Sequence, residues 1–237
     1  MNEKMKGIVT VFVDIDDTLW WFTENSKLAL RHTFDAFDIS SVCTYERFKE
    51  VYLKKNLELW NLYHHGLIDK DFLVNERFRF TLKECGYKGD VEKMCHLLDE
   101  EYLRFLALQP TTIPGARQLL EYLVAKGYDV NTLSNGFQGT QQQKLISGGL
   151  SDQIHRNVLS DDCGITKPQR GIFDYALEQC GAEAATSVMI GDNPDADIKG
   201  AHDAGWRTIY FNIRGLDPIE GTADAVVTTL DEIQQIL

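Results

Sequence analysis

No segment of this 237-residue chain stays apolar for the length a membrane helix needs, so a membrane partner is not expected. Basic residues are in deficit: 24 Lys and Arg stand against 36 Asp and Glu, a net charge of −12. A nucleic-acid polymer is a poor partner for such a surface. The five cysteines (Cys43, Cys85, Cys95, Cys163 and Cys180) form no C-x-x-C pair. An odd, scattered set reads as reduced thiols of a cytoplasmic protein. The opening run MNEKMKGIVTVFVDIDD has too short an apolar core for a secretory signal, and acids interrupt it. Neither a G-x-x-x-x-G-K-[ST] loop nor a G-x-G-x-x-G turn occurs, which leaves no case for NTP or dinucleotide binding. His64, His65, His96 and His202 lack metal-ligand spacing and read as helix-surface residues. Proline is scarce too: there are five, and residues 25–108 contain none.

What is present divides the chain. The hydrophobic content of 43% is enough for a core. Residues 20–108 are nearly balanced, with 13 Lys and Arg against 15 Asp and Glu, whereas the remainder carries 11 against 21. That proline-free stretch has apolar residues at helical spacing over Ser26 to Phe37, Thr44 to His64, Asp69 to Cys85 and Asp90 to Leu106. Four amphipathic helices of this size make a bundle. Outside it, strand and helix patterns alternate. Strands are predicted over Ile8 to Val13, Asp129 to Leu133, Asn157 to Ser160, Ser187 to Ile190, Arg207 to Phe211 and Ala225 to Thr228. Such alternation predicts an α/β fold: a Rossmann-like, three-layer α/β/α core on a parallel sheet. Residues 1–19 and 109–237 form the core domain in this reading, and 20–108 an inserted helical cap.

In open parallel sheets, ligands bind at the carboxyl ends of the strands. Asp14, Asp16 and Asp17 follow the first strand. Two carboxylates about 4 Å apart repel by roughly 4 kcal/mol at an effective dielectric of 20, so a chain that pairs them usually holds a cation or a proton there. Taken alone, the cluster also fits a helix cap through Asp17 or Thr18. Ser134-Asn135-Gly136 follows the second strand; alone it is a turn, but Asn135 and Gly136 tolerate positive φ, which would let their amides form an anion nest. Lys167-Pro168 precedes a helix and can reach the same edge. Gly191-Asp192 follows the strand ending at Ile190; Asp195 fits the first turn of a helix, and Asp197 is open to either a structural or a site role. Together these supply a nucleophile, an anion cradle, a fixed cation and a metal site, the inventory of phosphoryl transfer.

In order and in spacing, D-x-D-x-T, S-N-G, K-P and G-D-x-x-x-x-D resemble the four motifs of the haloacid dehalogenase superfamily, and the insert matches members with a helical C1 cap. Trp60-Asn61-Leu62-Tyr63-His64-His65-Gly66-Leu67-Ile68 and Ser134-Asn135-Gly136-Phe137 are similar to the pyrimidine 5′-nucleotidase branch. Asp17 stands where many relatives have glycine, and an acid there is also similar to that branch. The resemblance implies a phosphatase that uses Mg²⁺ and a small-molecule phosphomonoester. Asp14 is then the nucleophile that becomes an aspartyl phosphate, and Asp16 the general acid and base. Asp14, Asp192 and the backbone carbonyl of Asp16 hold the metal. Ser134, Asn135 and Thr18 bind substrate, and Lys167 neutralises the phosphate and orients Asp14. Asp197 and Gly136 support these groups from behind. The substrate expected is a nucleoside 5′-monophosphate, the alternative a sugar phosphate or other small metabolite. Dehalogenation needs neither Asp16 nor Asp192, which argues against it. Trp20, Trp21 and Phe22, three consecutive aromatics assigned to the insert, are expected to include one that stacks on a base for about 1–3 kcal/mol.

Overall fold

The computed structural model of the protein describes residues 4–237. Two compact units emerge: Met1–Phe22 with Pro110–Leu237, and Thr23–Gln109. The first is built on six parallel strands in the order β3-β2-β1-β4-β5-β6. These are β1 (Thr10–Val13), β2 (Asp129–Ser134), β3 (Arg156–Leu159), β4 (Ser187–Gly191), β5 (Arg207–Phe211) and β6 (Ala225–Val227). From β1 the chain first builds outward through β2 and β3. It then returns to the other side of β1 to lay down β4, β5 and β6. The order therefore reverses between β1 and β4, and this is where such sheets open a crevice at the strand ends. Asp14 and Asp192 lie one residue beyond those two neighbouring strands.

Burial of both sheet faces explains why the strands read as apolar runs rather than alternating ones. Val11, Phe12 and Val13 are wholly buried, as are Val188, Met189 and Ile190. On one face Phe12 and Met189 pack with Leu133 and Val158 against Ile172, Phe173 and Ala176 of a helix, and with Ala201 and Trp206. The helices of this unit are labelled with those of the second in chain order. They are α5 (Ala116–Ala125), α6 (Gln138–Ser147), α7 (Ser160–Cys163), α8 (Arg170–Cys180) and α9 (Gly200–Asp203), following α1 to α4 of the second unit.

The second unit contains α1 (Phe22–Ala36, from Thr23 onward), α2 (Tyr45–His64), α3 (Lys70–Glu84) and α4 (Val91–Ala107). Thr44, Asp69 and Asp90 cap the last three helices through side-chain acceptors, as their residue types favour. Phe48, Tyr52, Phe78 and Tyr102 pack ring against ring in its centre, Phe48 stacked on Phe78 and Tyr102 edge-on to it. Beside them the buried Arg77 pairs with the buried Asp99.

Three local readings are corrected. The first helix begins at Phe22, four residues before the predicted start, because Asn25 and Ser26 are buried and the Ser26 hydroxyl lies 3.0 Å from that of Tyr102. Trp20, Trp21 and Phe22 group with the α/β unit, not the insert. Their backbone is tied there: Trp21 donates its amide to Thr111, and Ile113 donates to Leu19. The helix predicted from Asp195 to Ala204 is a π-helical turn, Pro194–Lys199, followed by α9. The Asn193 carbonyl accepts from both Asp197 and Ile198 there, and the Asn193 side chain caps the turn from Asp195 and Ala196.

Candidate active site

At the end of β1 the backbone leaves the sheet in a tight turn. Asp17 adopts a φ of 59°, a left-handed conformation that glycine takes freely and Asp tolerates better than most residues. The turn is closed by hydrogen bonds from Asp17 to the Trp20 carbonyl and from Trp20 to Ile15. It presents Asp14, Asp16 and Asp17 around the end of β1.

Lys167 sits at the centre and is almost completely buried. Its ammonium donates to Asp14 Oδ1 at 2.7 Å, to Asp197 Oδ1 at 2.7 Å and to the Leu133 carbonyl at 2.6 Å. All three donors of the ammonium are thereby used, which fixes its position. Burial opposes its charge, but Asp14 and Asp197 outweigh that and hold the lysine above its usual range. Asn135 fixes the Lys167 backbone from both sides: its side-chain oxygen accepts from the Lys167 amide at 2.8 Å, and its nitrogen donates to the Lys167 carbonyl at 2.9 Å. Asp197 also accepts from the Asn193 amide at 3.0 Å. Gly191 leaves the space this requires, since a Cβ there would lie 2.3 Å from Asp197 Oδ2.

Asp14, Asp192 and Asp197 are buried with ligand oxygens within 4.8 Å of one another. Arg214, in the loop after β5, pairs with Asp192 and lies 3.8 Å from Asp17. Thr18 is wholly buried and its hydroxyl points at Asp192 Oδ1, 3.5 Å away. Burial lifts Asp14 from 3.8 to about 7; Lys167 pulls against this while Asp197 and Asp16 add to it. Burial raises Asp192 well above its usual range, with Arg214 opposing and Asp197, Asp14 and Asp17 contributing. Around this centre five carboxylates (Asp14, Asp16, Asp17, Asp192, Asp197) meet three cations (Lys144, Lys167, Arg214). With all five ionised the surplus is two negative charges, and burial, by raising Asp14 and Asp192, opposes that state until a cation offsets it. The donors are hard oxygens, the chemistry that suits Mg²⁺, so the residues present fit such an ion.

Ser134 and Gly136 lie at the end of β2, but not as the predicted nest: among the described residues neither Asn135 nor Gly136 has a positive φ. The Gly136 amide donates to Ser134 Oγ at 3.2 Å. Glycine is needed at 136 for room instead, because a Cβ would lie 2.3 Å from the Gln141 side chain. Gln141, Lys144 and Arg214 are the site residues that sequence reasoning missed. Of the hinge aromatics, Trp20 is wholly buried beneath Lys144, with the ammonium 4.8 Å from its ring, so it does not present a face to a base in this arrangement.

A doubly wound parallel sheet with a lysine-held aspartate at its switch point defines a class of α/β hydrolase sites built for anionic substrates. The profile of the haloacid dehalogenase-like hydrolases matches residues 8–205, and the chain belongs to that family. The pyrimidine 5′-nucleotidase YjjG of Escherichia coli K12 is 33% identical over 229 residues, covering 96% of each chain. The glyceraldehyde 3-phosphate phosphatase of Pyrococcus furiosus is 28% identical over 254 residues, covering 98% of this chain and 94% of the relative. Among solved structures, the putative HAD-hydrolase YfnB of Bacillus subtilis, described as bound to magnesium, superposes with a TM-score of 0.85 at 31% identity, covering 98% and 99%.

Proposed function

We propose that the protein is a Mg²⁺-dependent phosphomonoesterase that works through an aspartyl phosphate on Asp14 and prefers nucleoside 5′-monophosphates. The observation that carries this reading is the buried Asp14–Lys167–Asp197 chain at the switch point. The carboxylate of Asp14 attacks phosphorus while Lys167 holds it in line and offsets the charge of the substrate. Asp16, with a partly exposed side chain, gives its proton to the leaving oxygen, then takes one from the water that hydrolyses the aspartyl phosphate. Ser134 and the backbone amide of Asn135 receive the phosphoryl oxygens. Bound Mg²⁺, held by Asp14, Asp192 and the carbonyl of Asp16, would neutralise the crowded carboxylates and the incoming phosphate. Asp197 acts through Lys167 and Arg214 through Asp192; Thr18, expected from the sequence to bind substrate, is instead wholly buried with its hydroxyl towards Asp192 and acts through that residue.

Similarity to YjjG supports the nucleotide preference, and similarity to the glyceraldehyde 3-phosphate phosphatase supports a second reading, a small sugar phosphate. Purified protein with Mg²⁺ is to be assayed against UMP, dUMP, glyceraldehyde 3-phosphate and p-nitrophenyl phosphate. A higher kcat/KM on the nucleotides is expected. Preference for the sugar phosphate would replace the nucleotide reading with the second, and full activity in EDTA would contradict the metal role.

A further inference from the structure

We propose that Gln141 and Lys144 are positioning residues for Asp16, fixing its carboxyl for proton delivery to the leaving group; this rests on the phosphatase reading above. Helix α6 has only three buried residues, Gln141, Lys144 and Leu145, and two of them are polar. Burying a lysine and a glutamine on a short helix is unfavourable unless each meets a partner. At i and i+3 they share one face, and both reach Asp16, more than a hundred residues away in the sequence. Gln141 Nε2 donates to Asp16 Oδ2 at 3.0 Å and to Ser134 Oγ at 2.6 Å. Lys144 Nζ donates to Asp16 Oδ1 at 2.7 Å.

Each Asp16 oxygen is thus held by its own donor, and each keeps a further lone pair on which a proton can sit. The two arms are themselves constrained. The Lys144 ammonium lies 4.8 Å from the Trp20 ring centre and 5.3 Å from that of Phe22. Gly136 leaves open the space the Gln141 amide occupies. Through that one amide, the serine assigned to the phosphoryl oxygens and the acid assigned to the leaving oxygen keep a set spacing. In the first step the Asp14 oxygen–phosphorus bond forms, the phosphorus–leaving-oxygen bond breaks, and the Asp16 proton moves to the leaving oxygen. Asp16 is left as the carboxylate that the two donors hold. An alkoxide leaving group needs that proton, whereas p-nitrophenolate departs without it. Misaligning Asp16 should therefore hurt alkyl phosphates selectively.

The test compares kcat/KM for UMP and p-nitrophenyl phosphate in wild type, Lys144→Met and Gln141→Leu, each checked for folding by circular dichroism. For Lys144→Met the expected result is a loss of roughly tenfold or more on UMP, within the range of general acid catalysis, and less than about threefold on p-nitrophenyl phosphate; Gln141→Leu, which also releases Ser134, is expected to lose activity on both substrates, with the larger loss on UMP. In an Asp16→Asn background, adding Lys144→Met is expected to cost nothing further on UMP, since the group it aligns is gone. Equal losses on both substrates, no loss on either, or a full additional loss in the Asp16→Asn background would each overturn the inference. The two variants act through different oxygens of Asp16, so if one fails to fold the other decides. A wild type inactive on both substrates would instead defeat the phosphatase reading itself.

Discussion

Ionised Asp14 is expected to cost the metal-free protein stability, and removing its charge should stabilise the fold while abolishing activity. Its folded-state value of about 7, against an ordinary 3.8, means that the folded protein binds a proton at Asp14 more readily than the unfolded chain does. Stability contributed by that proton is complete below about 3.8 and is lost as pH rises towards about 7. A rise of about three units at 1.36 kcal/mol each sets the penalty at about 4 kcal/mol above neutrality. In Asp14→Asn the side-chain oxygen still accepts from Lys167, which keeps its pairing with Asp197. For a chain of this size about 1 kcal/mol moves Tm by roughly 2–4 °C. Melting followed by circular dichroism in EDTA slightly above neutral pH should therefore show Asp14→Asn raised by roughly 8–16 °C, with the gap closing near about pH 4. A variant that melts at or below wild type, or a gap that does not change with pH, would refute this reasoning.

Two further outcomes follow from the same electrostatics. The Mg²⁺-induced rise in Tm should grow between about pH 5 and about pH 8, because Asp14 and Asp192 are both held above their usual range and must lose protons before the ion binds; a metal effect that shrinks over this window would contradict the proposed ligands. In the helical unit, Asp99→Asn leaves the buried Arg77 without its countercharge and should cost about 3–5 kcal/mol in a denaturant titration, whereas the double change Arg77→Met with Asp99→Leu should recover most of it.

The sheet was legible because each strand is a short apolar run closed by polar turn residues, and the four clusters were legible because each lies at a strand end or a helix start. Their convergence needed only the rule that parallel strands present their carboxyl ends together. Gln141 and Lys144 were not legible: on α6 their spacing is that of any solvated helix face, and only the arrival of Asp16 from β1 shows that they are buried. Arg214 reads in sequence as a loop arginine for the same reason. Gly136 suggested backbone freedom, but the need it meets is space for a side chain five residues on. The π-helical turn escaped detection because a hydrogen bond shifted by one residue leaves no mark on apolar periodicity. Trp20 looked like a hinge aromatic because burial is set by the antiparallel bridge to Thr112, far along the chain.

The central claim is that Asp14 carries the phosphoryl group, and reductive trapping tests it most directly. Borohydride added during turnover reduces an aspartyl phosphate to the alcohol, leaving homoserine in its place. Tandem mass spectrometry of the tryptic peptide spanning 7–27, which holds Asp14, Asp16 and Asp17, then locates the change. The account predicts homoserine at position 14 only, and only when both Mg²⁺ and a hydrolysable phosphomonoester are present. Homoserine at position 16 or 17, or unmodified Asp14 in protein quenched while hydrolysing substrate, would contradict it.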